Sequence, residues 1–307
     1  MTARAPYRAL MGRRLRLAVA QSTVPEDPTD SESLRASSEE IRTLMRAASD
    51  AGARLVQFPE GAITYPSKHV LSSGPHGTLA ASDWSRVDWD VLRAEAESVA
   101  DLAGELGLWV AFGAPHPLTP PHRPHNSLYI VSDEGVLVSR YDKRYLSHTE
   151  VSYMFTPGTA PLVFEVDGIR FGTALCIEVN FPEVFHEYEQ LGVDCVLVSL
   201  MIDAAAPAVV AQAYATLYNY WVGYSIPAQF GATAPAAIFA PGGRRLASCN
   251  GDSRPGLAIA DIDLDAQDPD IDVALRLARP WRRTARAGLY DSHVVLGDGR
   301  SDTRTEF

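Results

Sequence analysis

Only three cysteines, Cys176, Cys195 and Cys249, occur in 307 residues, and three scattered thiols cannot build a disulfide framework. An odd, low count fits a reducing compartment and leaves room for one reactive thiol. Positive charge is also scarce: 27 Lys and Arg against 38 Asp and Glu leave a formal net charge of −11. Nucleic acid and membrane surfaces are anionic, so this balance argues against either as a partner. Long apolar runs are missing too. The stretch 15–20 is interrupted by Arg16, is too short for a signal-peptide core and is far too short to span a bilayer. No targeting segment is visible, and the expected location is the cytoplasm. Internal repeats and long low-complexity tracts are absent.

What is present is an ordinary globular balance, 46% hydrophobic and 21% charged. A chain of this length can bury on the order of 75% of its unfolded surface and needs no covalent staple. Residues 1–13 read as a leader, 14–290 as one domain and 291–307 as a polar tail. Apolar periodicity predicts strands at 15–20, 55–58 and 108–112, with helices at 31–51 and 89–106. Asp88 is a candidate cap for the second helix and Gly107 its stop. Two hairpins follow, around Asp133-Glu134-Gly135 and around Asp167-Gly168. Beyond them come helices at 182–190 and 208–220, and strands at 195–200, 222–226, 236–239, 245–248 and 256–262. The later half is too rich in hairpins for a purely parallel sheet. The expected class is α+β, with two sheets and helices packed outside both.

Three residues share a context. Glu60 follows the strand of LVQFPEG, Lys143 ends VLVSRYDK, and Cys176 ends IRFGTALC just before a helix. Singly, each has a plain alternative: a solvated loop glutamate, a lysine at a strand end, a buried structural cysteine. Together they have a coherent chemistry. A carboxylate takes the thiol proton, sulfur attacks a carbonyl carbon, and a fixed cation stabilises the oxyanion. A free thiol near its reference pKa of ~8.5 is mostly protonated at neutral pH, so it needs such a base.

LVQFPEG, YDKRYL and ALCIEVNFPEVF resemble, in order and broad spacing, the three signature segments of the carbon–nitrogen hydrolase (nitrilase) family. LRLAVAQ, HNSLYIVSDEGVLVSRYDK, FTPGTAPLVFEVDG, AAIFAPGGRRLAS and GLAIADIDL resemble its flanking strands, so the likeness covers roughly residues 14–290. The resemblance implies a four-layer αββα sandwich of two mixed sheets, a homodimer or larger homo-oligomer, and hydrolysis of a small-molecule amide without metal or organic cofactor. It implies Glu60 as base, Cys176 as nucleophile forming a thioester, and Lys143 as oxyanion stabiliser with the Ile177 N–H as second donor. Glu150, ahead of Pro157-Gly158, matches a further family glutamate and is assigned to orienting Lys143 or the substrate. Where carbamoyl- and dicarboxylate-directed relatives often carry an arginine, this chain has Asn180, which cannot form a bidentate ion pair with a carboxylate. Nitrile-cleaving relatives typically carry Trp after the cysteine. Ile177 stands there, which favours an amide over a nitrile. Nitrilase, carbamoyl hydrolase and soluble acyl transferase remain alternatives, as does a non-enzymatic relative that binds a small molecule or a partner protein.

Other features read plainly. His116, His122 and His125 stand in a proline-broken loop over 115–125, without the regular frame of a metal site. Arg276, Arg279, Arg282, Arg283 and Arg286 read as a salt-bridged face or C-terminal arm. Tyr214, Leu217, Tyr218 and Trp221 fall at helical spacing and read as core or interface. Cys195 reads as core, and Cys249 as part of a polar turn. Loops 64–86 and 201–207 are the expected specificity elements.

Overall fold

The Asp30 carboxylate accepts the amide N–H groups of Glu32 and Ser33 and so starts the first helix, while Asp88 does the same for Val91 in the second. Gly107, at φ 61°, stops that second helix as expected. In the computed structural model, which describes residues 13–75 and 77–302, the first half runs β1 (Arg14–Gln21), α1 (Ser31–Asp50), β2 (Leu55–Gln57), α2 (Trp89–Leu106), β3 (Trp109–His116), β4 (His125–Val131) and β5 (Leu137–Asp142). The second half runs β6 (Val163–Val166), β7 (Ile169–Leu175), α3 (Pro182–Gln190), β8 (Cys195–Ser199), α4 (Ala206–Tyr218), β9 (Trp221–Ser225), β10 (Ala237–Phe239), β11 (Arg245–Ser248) and β12 (Gly256–Asp263).

These strands form two six-stranded sheets, ordered β12-β1-β2-β3-β4-β5 and β11-β10-β9-β8-β7-β6. The sheets share one plan. Three central strands are parallel and linked by helices, one antiparallel strand flanks the first of them, and an antiparallel pair extends from the third. Side chains alternate across β1. Leu15, Leu17 and Val19 enter the core between the sheets, whereas Ala18 and Ala20 pack under α1 and α2. Polar contacts also cross the interface. Gln57 donates to Val198 O at 2.9 Å, Ser199 Oγ donates to Phe58 O at 2.8 Å, and Ser225 Oγ donates to Ala20 O at 2.7 Å. The result is the expected αββα sandwich, with α3 and α4 on the far face of the second sheet.

The structure corrects several sequence expectations. β3 runs on to His116 and β4 begins at His125, so the loop between them is shorter than 115–125. His116 is half-buried and held: it meets the Tyr129 hydroxyl at 2.8 Å and Arg140 at 2.5 Å. Burial, with the Arg140 charge beside it, lowers its pKa to about 4. His125 bonds Thr156 O at 2.8 Å, and only His122 is exposed. Asn219, in the left-handed region at φ 54°, ends α4, so Trp221 lies on β9 rather than on a face with Tyr214 and Tyr218; Leu217 of α4 is exposed. Cys249 is buried.

The expected arginine-rich arm is helical from Pro269, with Asp268 as its cap, and kinks at Ala287 and Gly288; charge alone does not show the helix. Part of that charge is paired, Arg279 with Asp194 and both Arg282 and Arg286 with Glu189. Most of the expected leader, 1–12, lies outside the described residues, as do the last tail residues, 303–307. The tail over 291–300 is exposed. No described helix is long and apolar enough to cross a membrane.

Gly113 of β3 shows how tightly the sheet holds the segment after β2. A Cβ built there would lie 2.2 Å from Gly61 N and 2.8 Å from Pro59 O. Those atoms are backbone and cannot swing aside, so Gly113→Ala is expected to lower stability by about 1–3 kcal/mol, as overpacking does. Gly299 has open space around it, and its alanine variant is the control. Urea unfolding midpoints check both, and equal midpoints for the two variants would refute the close packing.

Candidate active site

Glu60, Lys143 and Cys176 each sit just beyond a strand. Glu60 follows β2, with Phe58 N bonded to Ala111 O and Ile63 N to Gly113 O on either side of it. Lys143 follows β5, its own N–H bonded to Asn126 O and its carbonyl accepting Gly158 N–H. Gly158 lies against the Asp142 carbonyl, where a Cβ would come within 2.2 Å. Glu150 begins a helical turn, Glu150–Met154. Cys176 follows β7 and opens the turn Cys176–Asn180 at φ +44°, a left-handed conformation that costs a non-glycine residue roughly 1–3 kcal/mol. Glu60 and Cys176 thus lie beyond the carboxyl ends of parallel strands, where open α/β sheets place their sites.

Lys143 Nζ lies 2.8 Å from Glu60 Oε1 and 2.8 Å from Glu150 Oε1. All three side chains are at most 5% exposed. Asn126 Nδ2 donates to Glu60 at 2.8 Å, Tyr65 Oη to Glu150 at 2.9 Å, and Ser147 N to Glu150 Oε2 at 2.7 Å. Two positions stay unfilled. Glu60 Oε2 is buried with no hydrogen-bond partner among the described residues. The ammonium has three N–H groups and two protein acceptors. The Cys176 sulfur lies 3.8 Å from Met201 O.

Electrostatics links the four groups. Burial raises the Glu60 pKa and Glu150 adds to the rise, against Lys143 and Asn126. For Glu150, burial is outweighed by Lys143 and the Ser147 N–H, and its pKa falls. For Lys143, burial is outweighed by the two carboxylates, which hold it firmly charged. Burial and Glu60 push the Cys176 thiol well up, against Lys143. Two carboxylates facing one ammonium leave a net negative site, which keeps the resting thiol protonated.

Ile177 lies in the first turn after Cys176, whose N–H groups have no partner within the helix. Asn180 is not brought to the cluster: the turn sends Glu178 and Val179 inward and leaves Asn180 exposed. A cleft of about 360 Å³ opens beside the cluster, lined by Tyr65, Glu150, Met154, Met201, Ile202 and Phe230. Loops 64–86 and 201–207 both contribute to it. Among the described residues, no group of three or more His, Cys, Asp or Glu could hold a metal ion. Sequence reasoning missed Asn126, Tyr65 and Glu178. Asn126 carried a faint signal, an amide inside a strand that buries its neighbours. Glu178 carried one as an acidic residue three places after the end of a strand. Tyr65, in an irregular loop, carried none.

Residues 16–269 match the family described as carbon-nitrogen hydrolase. The chain is 23% identical over 158 residues to an omega-amidase (NIT2) of Bos taurus, covering 48% of this chain and 52% of that one. It thus spans about half the length of that relative, and 29% of a 2-oxoglutaramate amidase of Bacillus subtilis with 25% identity over 24% of this chain. A hydrolase of Mycobacterium tuberculosis, Rv0480c, is 27% identical over 82% of this chain and 90% of its own. Among solved structures, an amidase from Nesterenkonia sp. superposes with a TM-score of 0.66 at 20% identity, covering 89% of this chain and 98% of that one.

Removing the cation from this buried cluster leaves two carboxylates facing each other. Lys143→Met is expected to cost about 3–5 kcal/mol in chemical denaturation at neutral pH. The loss should shrink as the pH falls, because protonated carboxyls no longer need the ammonium. Adding Glu150→Gln should recover part of it. A pH-independent loss would refute the charge argument.

Proposed function

Since the chain belongs to the carbon–nitrogen hydrolase family, we propose that it hydrolyses the non-peptide C–N bond of a small-molecule amide through a thioester on Cys176. The observation that carries this reading is the pair of positions on one buried ion pair left unfilled among the described residues, an acceptor on Glu60 and a donor on Lys143. Glu60 Oε2 takes the thiol proton as sulfur attacks the carbonyl carbon. The oxyanion is met by the third N–H of Lys143 and the amide N–H of Ile177. Collapse breaks the C–N bond, and the proton on Glu60 passes to the departing amine. Glu60 then deprotonates water, which attacks the thioester, releases the carboxylic acid and restores the thiol. Because the resting thiol is neutral, proton removal accompanies attack rather than preceding it. Glu150 is a second carboxylate on Lys143, and Tyr65 and Ser147 hold Glu150. Asn180, exposed, has no part in this scheme.

An amide substrate agrees with the omega-amidase and 2-oxoglutaramate amidase among the relatives. It agrees as well with a Nesterenkonia amidase variant whose active-site cysteine carries the acetamide moiety of fluoroacetamide. Assembly into a homodimer or larger homo-oligomer belongs to the same proposal, supported by apolar residues left exposed on α4 and the arm, among them Leu217, Leu277 and Trp281. Sedimentation velocity tests it, and a monomer at micromolar concentration would count against it.

Ammonia release from a panel of amides, nitriles and carbamoyl compounds should single out an amide. Cys176→Ala should then abolish turnover while keeping the wild-type unfolding midpoint, and retained turnover would remove the thiol from the mechanism. The pH profile gives a second check. Glu60 must be ionised to act, and its pKa lies above the ordinary carboxylate range, so the acidic limb of kcat/KM should lie above ~4.3. Glu150→Gln removes a negative neighbour of Glu60, which makes its ionisation easier. The limb should therefore move to lower pH, and a limb that stays put or rises would exclude Glu60 as the titrating base.

A further inference from the structure

Glu178 is fully buried, and among the described residues it has no ion pair with Lys or Arg. Its carboxylate is satisfied by hydrogen bonds drawn from two separate parts of the fold. Leu175 N, at the end of β7, donates to Oε2 at 2.7 Å. Arg144 N and Tyr145 N donate to Oε1 at 2.8 and 3.1 Å. The Tyr141 hydroxyl lies 2.8 and 2.9 Å from the two oxygens. Leu175 directly precedes Cys176 in the second sheet's strand. Tyr141, Arg144 and Tyr145 flank Lys143 at the end of the first sheet's edge strand. One carboxylate therefore joins the backbone that enters the turn at Cys176 to the backbone just after Lys143 and to a side-chain hydroxyl just before it.

We propose that Glu178 is a positioning residue for C–N hydrolysis, fixing the Lys143 ammonium relative to the Cys176 sulfur by holding their two backbone segments on one carboxylate. The proposal rests on the roles given above to Cys176 and Lys143, and Glu178 touches no reacting atom. Two features set it apart from a generally stabilising buried acid. Its bond to Leu175 N spans the left-handed residue, so it closes the turn that keeps Cys176 at φ +44°. Its bonds to Arg144 N and Tyr145 N fall on the two residues that follow Lys143, so a shift of this carboxylate moves the cation's own backbone. An ionised carboxylate offers only acceptors, which suits four converging donors. An amide in its place turns an NH2 toward one of them.

The test compares Glu178→Gln, Tyr141→Phe and Cys176→Ala with the wild type, using the best amide from the panel, ammonia release and thermal unfolding. Misplacing a catalytic group by about 1 Å can cost ~100-fold, so Glu178→Gln is expected to lower kcat by about 100-fold with KM within about threefold. Tyr141→Phe, which removes one donor and keeps the carboxylate, should lower kcat in the same way by a smaller factor. A Glu178→Gln protein that melts earlier yet turns over with wild-type kcat would show a merely structural role and overturn the proposal. Should Glu178→Gln fail to fold, Tyr141→Phe decides: a reduced kcat at unchanged KM supports the proposal, and an unchanged kcat overturns it. Turnover by Cys176→Ala would instead undo the underlying reading of the site, whatever Glu178 does.

Discussion

Lys143 keeps its ammonium between Glu60 and Glu150 with all three side chains withdrawn from water. Desolvating each ion costs several kcal/mol, and only close contact and further hydrogen bonds offset that. The surroundings follow from this demand. Asn126 must lie beneath Glu60, Tyr65 and Ser147 must reach Glu150, and the backbone at Lys143 must be tied on both sides. A cluster so constrained has little freedom to rearrange. Among the described residues it leaves a buried carboxylate oxygen and an ammonium N–H without partners, the two positions that the proposed acyl transfer uses for the proton and the developing oxyanion.

The charge balance also selects a type of thiol chemistry. A cysteine beside a histidinium or at a lone cation is drawn toward thiolate. Here the ammonium is already shared by two carboxylates, and the field at sulfur favours the neutral form. A neutral thiol is a poor nucleophile at rest and becomes a good one only when a carbonyl carbon and a base reach it together. On the proposed reading, reactivity is thereby tied to the bound substrate, with the sulfur 3.8 Å from the carbonyl of Met201, a residue that lines the cleft.

Much of this was legible in the sequence because the informative residues follow strands. LVQFPEG and ALCIEVNF each pair a buried strand with a chemically active residue just past its end, and YDKRYL does the same at the end of a strand that is polar itself. Helix limits were legible where caps exist, at Asp88 and Gly107. Three things were not legible. The shared plan of the two sheets leaves no repeat in the sequence, since strand order and direction fix only which positions are apolar. The supporting contacts of Tyr65 and Asn126 depend on which loops meet in space. At Asn180, the likeness to relatives pointed toward the substrate, but the local turn buries its two predecessors and faces it outward; only the backbone path decides that.

The geometry also explains why two sheets are needed at all. Glu60 and Lys143 are carried by the first sheet, and Cys176 by the second, so the spacing of the proposed catalytic groups depends on how the two sheets pack. Apolar packing alone fixes such a separation poorly, because it is non-directional. Hydrogen bonds are directional, and the sandwich places them where the distance matters. Gln57 to Val198, Ser199 to Phe58 and Ser225 to Ala20 cross between the layers, and two of them start from or end on the residues just ahead of Glu60. Glu178 crosses the same gap from the other direction, from the nucleophile's turn to the end of the lysine strand. Directional contacts thus bracket the three groups from both sides, so the Cys176 sulfur, the Glu60 carboxylate and the Lys143 ammonium are held at one spacing by hydrogen bonds between the layers.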